Sequence, residues 1–167
     1  MASVTGSVSA VASFTRTDTL TTGATDQQKA VLPANSAPME FTSGTGISQV
    51  NKLWVRTVSL SASTPVTLDL TALTGGVGDT SFAAIKSITF INHETAGGGK
   101  DVTVGAAAST PFTGPLGGTT PTIDVQAGTS LPWVNPEAAG WACGTNKNLK
   151  LDPGANAITL SLVIAGI

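Results

Sequence analysis

"ITLSLVIAG", residues 158–166, is the stretch whose reading decides the fold. Ile158, Leu160, Leu162 and Ile164 fall on one side of an extended chain, with Thr159 and Ser161 on the other. Successive side chains of a strand point to opposite faces, so this two-residue period predicts a strand with one face buried. Val163 breaks the polar side, and the end of the strand is therefore expected to be covered on both faces.

Outward from this strand, the same texture recurs. "KLWVRTVSL" (52–60), "PVTLDL" (65–70), "IKSITFIN" (85–92), "KDVTVG" (100–105), "PTIDVQA" (121–127) and "NLKL" (148–151) read as further strands, with weaker pieces around Val31 and Phe41. From Ala2 to Phe14 the even positions are apolar or Gly and most odd ones Ser or Thr, which predicts an N-terminal strand. The separators "TGGVGD", "TAGGGK", "GPLGGTTP" and "DPGAN" are rich in turn residues. "SFAAIKS" and "PEAAG" offer a turn or so of helix and no more, and no repeat of fixed period is visible. Many short strands between Gly/Pro turns predict an all-β fold. We read it as an antiparallel β-sandwich of jelly-roll type over residues 47–167. The polar, turn-rich residues 15–46 read either as a loop with an edge hairpin or as an arm lying on a neighbouring subunit, within an N-terminal strand or arm region, 1–46.

Composition narrows the function. The chain has 167 residues, of which 41% are hydrophobic and only 11% charged, against about a quarter charged in an ordinary soluble domain. Many surface positions must be Ser, Thr, Gly or small apolar residues, as suits a protein whose faces are covered by neighbours. The formal net charge is −2 and the eight Lys and Arg are scattered, so nucleic-acid binding is not expected. No apolar run approaches the roughly 20 residues of a membrane helix, and no membrane partner is expected. The start, "MASVTGSVSAVASF", lacks the basic and continuous apolar regions of a signal peptide. A single cysteine, Cys143, excludes an internal disulfide and fits synthesis in a reducing cytoplasm.

Chemistry finds little to work with. His93 is the one histidine, placed where the strand "ITFIN" enters a turn, and nothing in the spacing brings Cys143 to it. A zinc site would need two or more carboxylates beside them, and no metal-binding spacing is present. "GGGKD" (97–101) fails as a phosphate loop, because Glu94 stands where Gly is required and Asp101 where Ser or Thr is required. The ten carboxylates are dispersed; Asp69 and Asp79 could converge as glycosidase acids do, but Asp69 lies on the polar side of "VTLDL" and reads as solvent-facing. No catalytic, cofactor-binding or metal residue is assigned, no cofactor is expected, and the protein is read as a non-enzyme.

The tryptophans remain. Trp54, Trp133 and Trp141 are candidate core or interface anchors. In "LPWVNPEAAGWAC" (131–143) a strand ends in "LPWV", "NPEAAG" turns and "GWAC" begins the next strand, with Pro132 and Pro136 at strand ends or edges. Cys143, two residues after Trp141, should face the same way as a buried small side chain.

From about Phe41 to Gly166 the chain resembles small virion structural proteins of tailed bacteriophages. The likeness rests on "GTGISQVNKLW" (44–54), "LDLTALTGG" (68–76), "FAAIKSITFIN" (82–92), "VTVGAAASTPFTGPLGG" (102–118) and "WVNPEAAGWACGTNKNLKLDPGANAITLSLVIAG" (133–166). These are turn and strand patterns, not catalytic signatures, and the first 40 residues lie outside them. The resemblance implies a capsid decoration, or cement, protein of the virion, partnered by the major capsid protein and by its own copies, with a trimer suited to three-fold positions of a shell. The alternatives are a tail or fibre component, or a lectin-like receptor-binding module that would expose Trp133 or Trp141 to sugar rings.

Overall fold

The structure is a computed structural model and describes residues 6–8, 13–19, 25–31, 39–78 and 81–167. Among the described residues all regular elements are strands. The first five are β1 (Gly6–Val8), β2 (Ser13–Thr19), β3 (Thr25–Val31), β4 (Met39–Ser43) and β5 (Gln49–Val50). The body follows with β6 (Lys52–Leu60), β7 (Val66–Asp69), β8 (Val77–Gly78), β9 (Ala84–Asn92) and β10 (Val102–Gly105). It is completed by β11 (Thr122–Val125), β12 (Ser130–Val134), β13 (Trp141–Ala142), β14 (Asn148–Asp152) and β15 (Ile158–Gly166).

The body strands pair in a nested way. β6 pairs with β15, β7 with β14, β9 with β12 and β10 with β11, all antiparallel. Two further ladders, β9 with β15 and β10 with β14, join these pairs into sheets. The large sheet has the order β12-β9-β15-β6-β8, with β13 also on β9, and the small sheet the order β11-β10-β14-β7. The expected alternation of 158–166 is present: Ile158, Leu160, Leu162 and Ile164 are buried, and the residues between them are half-buried.

Inward residues of both sheets share one apolar core. β6 contributes Trp54, Val58 and Leu60, and β9 contributes Ile88 and Phe90. Leu68, Val102, Val104, Val125, Leu149 and Leu151 come from the small sheet. Each such aliphatic or aromatic side chain stabilises the fold by roughly 1.5–3 kcal/mol through its removal from water. Asn92, buried at the end of β9, ties the layers together. Its Nδ2 donates to Lys100 O (2.9 Å) and Val125 O (3.1 Å), and its Oδ1 accepts from Glu94 N (3.1 Å).

At the opposite end of β9, residues 44–51 form a strap. Ser48 N donates to Pro136 O (2.7 Å) and Asn51 N to Gly166 O (3.0 Å). Gln49 Oε1 accepts from Gly46 N (2.8 Å). Beneath the strap Lys86 is wholly enclosed, its Nζ donating to Gly46 O (2.5 Å). Burial lowers its pKa, and the Glu137 carboxylate opposes that shift. A register shift between Ala165 and Gly166, which pair with Ser87 and Ile85, skips Lys86 in the ladder.

Some details depart from the sequence reading. "SFAAIKS" holds no helical turn: Ala84 and Ile85 already pair with Ala142 and Trp141. Inside the turn-like "TGGVGD", Val77 and Gly78 pair with Val55 and Trp54. Gly76 is required there, since a Cβ would lie 2.3 Å from Trp54 Nε1. The N-terminal alternation falls partly outside the described residues. Within them, β1 pairs with β4, and β2 pairs with β3 over seven residues in a separate two-stranded sheet. β4 and β5 pair in parallel through Thr42–Gln49 and Ser43–Val50.

Leu162→Ala, which empties the centre of the core, is expected to destabilise the protein by about 2–5 kcal/mol in denaturant melts; a change below about 0.5 kcal/mol would show the site to be loosely packed.

The acid limb of stability should report Asp69. Lys147 at 2.7 Å, helped by the Thr71 hydroxyl, lowers its pKa from 3.8 to about 2. A carboxylate favoured in the folded state contributes stability that is full above its unfolded pKa and lost as pH falls through the folded value. Urea midpoints should therefore fall from pH 3.8 towards about 2, and Asp69→Asn should flatten that slope. The effect is modest, because the pair is one-third exposed and screened by solvent.

Candidate functional site

The two sheets present very different outer faces. On the small sheet, β14 turns Lys150 and Asp152 outward between the buried Leu149 and Leu151. Lys150 Nζ lies 2.9 Å from Asp152, holding that carboxyl below its ordinary range together with the Gly154 N–H. Thr103 on β10 donates to Asp124 on β11 at 2.7 Å, and Asp69 on β7 pairs with Lys147. This is an ordinary solvated face of paired charges.

The large sheet carries none of this. Its register sets out the outward positions in rows: Val134, Ser87, Ala165 and Leu53; then Pro132, Thr89, Val163, Val55 and Val77; then Ser130, Ile91, Ser161 and Thr57. Thr159 and Ser59 follow. Among the described residues, no outward strand position of this sheet is Lys, Arg, Asp or Glu. One end of the face is apolar, with Val55 39% and Val77 80% exposed, and Ile47 of the strap 69% exposed. The other end is hydroxyl-rich. There His93 Nε2 and Ser161 Oγ lie 2.7 Å apart, and Ser161 Oγ lies 2.7 Å from Thr57 Oγ1.

The His93–Ser161 contact is the one arrangement here that resembles a nucleophile and base. Ser161 sits in the middle of β15, whose backbone pairs with Thr57 on one side and Ile91 on the other. With those N–H groups committed to the ladders, none beside the hydroxyl is left to stabilise an oxyanion, and the contact lies on an open face. The pair can link three strands through hydrogen bonds.

Other candidate residues are kept apart. Cys143 is fully buried, its N–H bonded to Ala83 O, while the His93 N–H bonds to Thr159 O beyond the far end of β9. The nine residues of β9 separate the two anchoring positions, roughly 30 Å at about 3.3 Å per residue. Burial pushes the Cys143 thiol up to about 12. Asp79 lies outside the described residues, so its pairing with Asp69 has no structural counterpart here. Lys100, from "GGGKD", pairs with Glu94 at 2.8 Å and holds that carboxyl low. Beside it an open depression is lined by Gly97, Gly99, Asp101 and Gln126, but Asp101 already accepts from Ala127 N at 2.9 Å. No group of three or more metal-ligating side chains forms among the described residues.

The three tryptophans all turn towards the core. Trp54 is fully buried. Trp133 is half-buried and meets Phe90 edge-on, with ring centroids 5.1 Å apart and planes at 77°. Trp141 is half-buried against the same cluster. Lys86 and the uncharged sheet face were not singled out from the sequence. The face was legible in principle, since each of its strands lacks charge at every second position.

Comparison of the chain with protein-family models, with curated proteins and with solved structures gave no match.

A buried thiol with so high a pKa should be inert. In native protein at about pH 8 a thiol-specific reagent should leave Cys143 unmodified, and denaturation should release full labelling. Rapid labelling of the native protein would place the thiol at the surface.

Proposed function

We propose that this protein is a bacteriophage virion structural protein, a capsid decoration or cement protein that binds the assembled shell and stabilises it. The observation that carries the reading is the uncharged outer face of the large sheet, set against the charged face of the small one. A solvated sheet face alternates apolar-in with polar-out and tolerates charge freely. A face of Val, Ala, Ser and Thr suits coverage by a neighbour, because no ion has to be stripped of water there.

Two features add support. The bacteriophage-like motifs between Phe41 and Gly166 fall on the strap, β6, β7, β9, β10 and β12 to β15. The strand orders β6-β15-β9-β12 and β7-β14-β10-β11, with first-to-last nesting, favour a jelly roll, an architecture common in viral capsid and lectin domains. Architecture alone does not assign function. The lectin-like alternative asks for exposed indoles, whereas Trp133 and Trp141 pack inward. A tail or fibre position in the virion is the remaining alternative.

In this reading the protein works without chemistry. Copies contact the major capsid protein only in the assembled lattice, and that preference stabilises the shell by mass action. Occupancy at a hundred times the dissociation constant contributes about 2.7 kcal/mol per site.

Purified protein mixed with shells lacking it should co-sediment to a saturating stoichiometry and raise the temperature at which the shells disrupt. Image reconstruction should show its density on the shell. Density confined to the tail would favour the alternative, and absence from the virion would end the proposal.

A further inference from the structure

The uncharged face raises the question of what would cover it. We infer that the outer face of the large sheet is a self-association surface, occupied by a second copy of this chain. This deepens the reading above by naming the occupant of the face, and its test uses the isolated protein alone.

Charge is the first reason. An interface with a differently charged partner is recognised by opposed potentials, and this face has no Lys, Arg, Asp or Glu at any outward strand position among the described residues. A face without charge is best matched by another without charge. The same molecule supplies one, whereas its small-sheet face, with Asp124, Lys150 and Asp152, would place ions against Val55 and Val163.

Shape is the second. Two copies of one sheet have the same twist and pack in register with it, at the roughly 30° angle of aligned sheets. Side chains of low relief, such as Val163, Ala165 and Val55, let the sheets approach closely. The hydroxyls of Thr57 and Ser161 supply hydrogen bonds towards one end.

Area is the third. β6, β9 and β15 each run nine residues, flanked by the five of β12 and the two of β8. Leaving out Ala84–Ser87, which the protein itself already buries, the face measures roughly 480 Å² in plan at about 3.3 Å per residue and about 4.8 Å between strands. Two copies then bury roughly 950 Å² together, close to the roughly 1,000 Å² of a specific interface.

The test is sedimentation equilibrium on wild-type protein and on Val55→Glu, Val77→Glu and Thr67→Glu. Wild type should associate, with a dissociation constant at or below about 10 μM. Val55→Glu brings a carboxylate from each copy onto the face and should weaken association at least about ten-fold. Val77→Glu should do the same and, at an 80% exposed position of an edge strand, leaves the core untouched. Thr67→Glu adds the same charge to the exposed small-sheet face and should change nothing. Far-UV circular dichroism establishes that each variant is folded, and Val77→Glu decides if Val55→Glu is not. A wild-type monomer up to about 100 μM, association indifferent to both valine variants, or association equally sensitive to Thr67→Glu would overturn the inference. Shells that fail to bind a self-associating protein would count against the decoration reading and leave this one standing.

Discussion

The ladder between β6 and β15 is the contact on which the rest of the structure depends. It joins Lys52–Leu60 to Ile158–Gly166 over nine residue pairs, and β15 then carries β9 on its other edge. β15 has no free edge along most of its length, and its inner side chains meet residues from both sheets. Without it, β6 and β9 lose their common neighbour. Inside this outermost pair, β7 and β14 close the next layer, then β9 and β12, then β10 and β11. The nesting is one of sequence, and the β9–β15 and β10–β14 ladders join the pairs within each sheet. A one-residue slip would turn Ile158, Leu160, Leu162 and Ile164 outward together.

The asymmetry between the two sheets follows from the same scaffold. Both use alternation to fill one core, but only the small sheet uses its outer positions to carry ions. On the large sheet those positions hold small β-branched, hydroxyl or aliphatic residues, good strand formers that add little solubility. Its ends are finished differently. At one end the strap of residues 44–51 closes over Lys86, and at the other Asn92 and the Glu94–Lys100 pair fasten the turn into β10. The termini of the sheet are polar and fixed, while its broad outer surface is plain.

Much of this was legible in the sequence. The period of two at 158–166 and 52–60 is strong because each strand buries one face only, and the turn-rich separators mark where the chain leaves the sheets. The all-β class followed from those signals. Less legible were features set by tertiary contact. Val77–Gly78 is too short to show a period and becomes a strand because β6 offers an edge there. Ala84 and Ile85 have helical propensity but are drawn into β9 by Trp141 and Ala142. Lys86, within "IKSITF", is enclosed beside a register shift and under the strap, neither of which leaves a mark in the local sequence. The Ser161–His93 contact joins residues 68 apart in sequence and could not be inferred from spacing. The candidate face required the register, which alone brings the uncharged alternate positions of four strands side by side.

The nested pairing also governs how the chain reaches its native state. Thr57 and Ser161, hydrogen-bonded on adjacent strands, are 104 residues apart in sequence. As the polypeptide emerges from the ribosome, β6, β7 and β9 appear long before the strand that lies between β6 and β9. Among the four nested pairs, the innermost, β10 with β11, is the one closest in sequence. The sheets therefore assemble after β15 has been synthesised, and the rate is set by closing a long loop, as in other β proteins dominated by distant contacts. Until then β6 and β9 expose unpaired edges, and their apolar sequences are open to mispairing with neighbouring nascent chains. That hazard recurs at every round of translation, which places a premium on the chain's Gly and Pro turns to bring the inner strands together early.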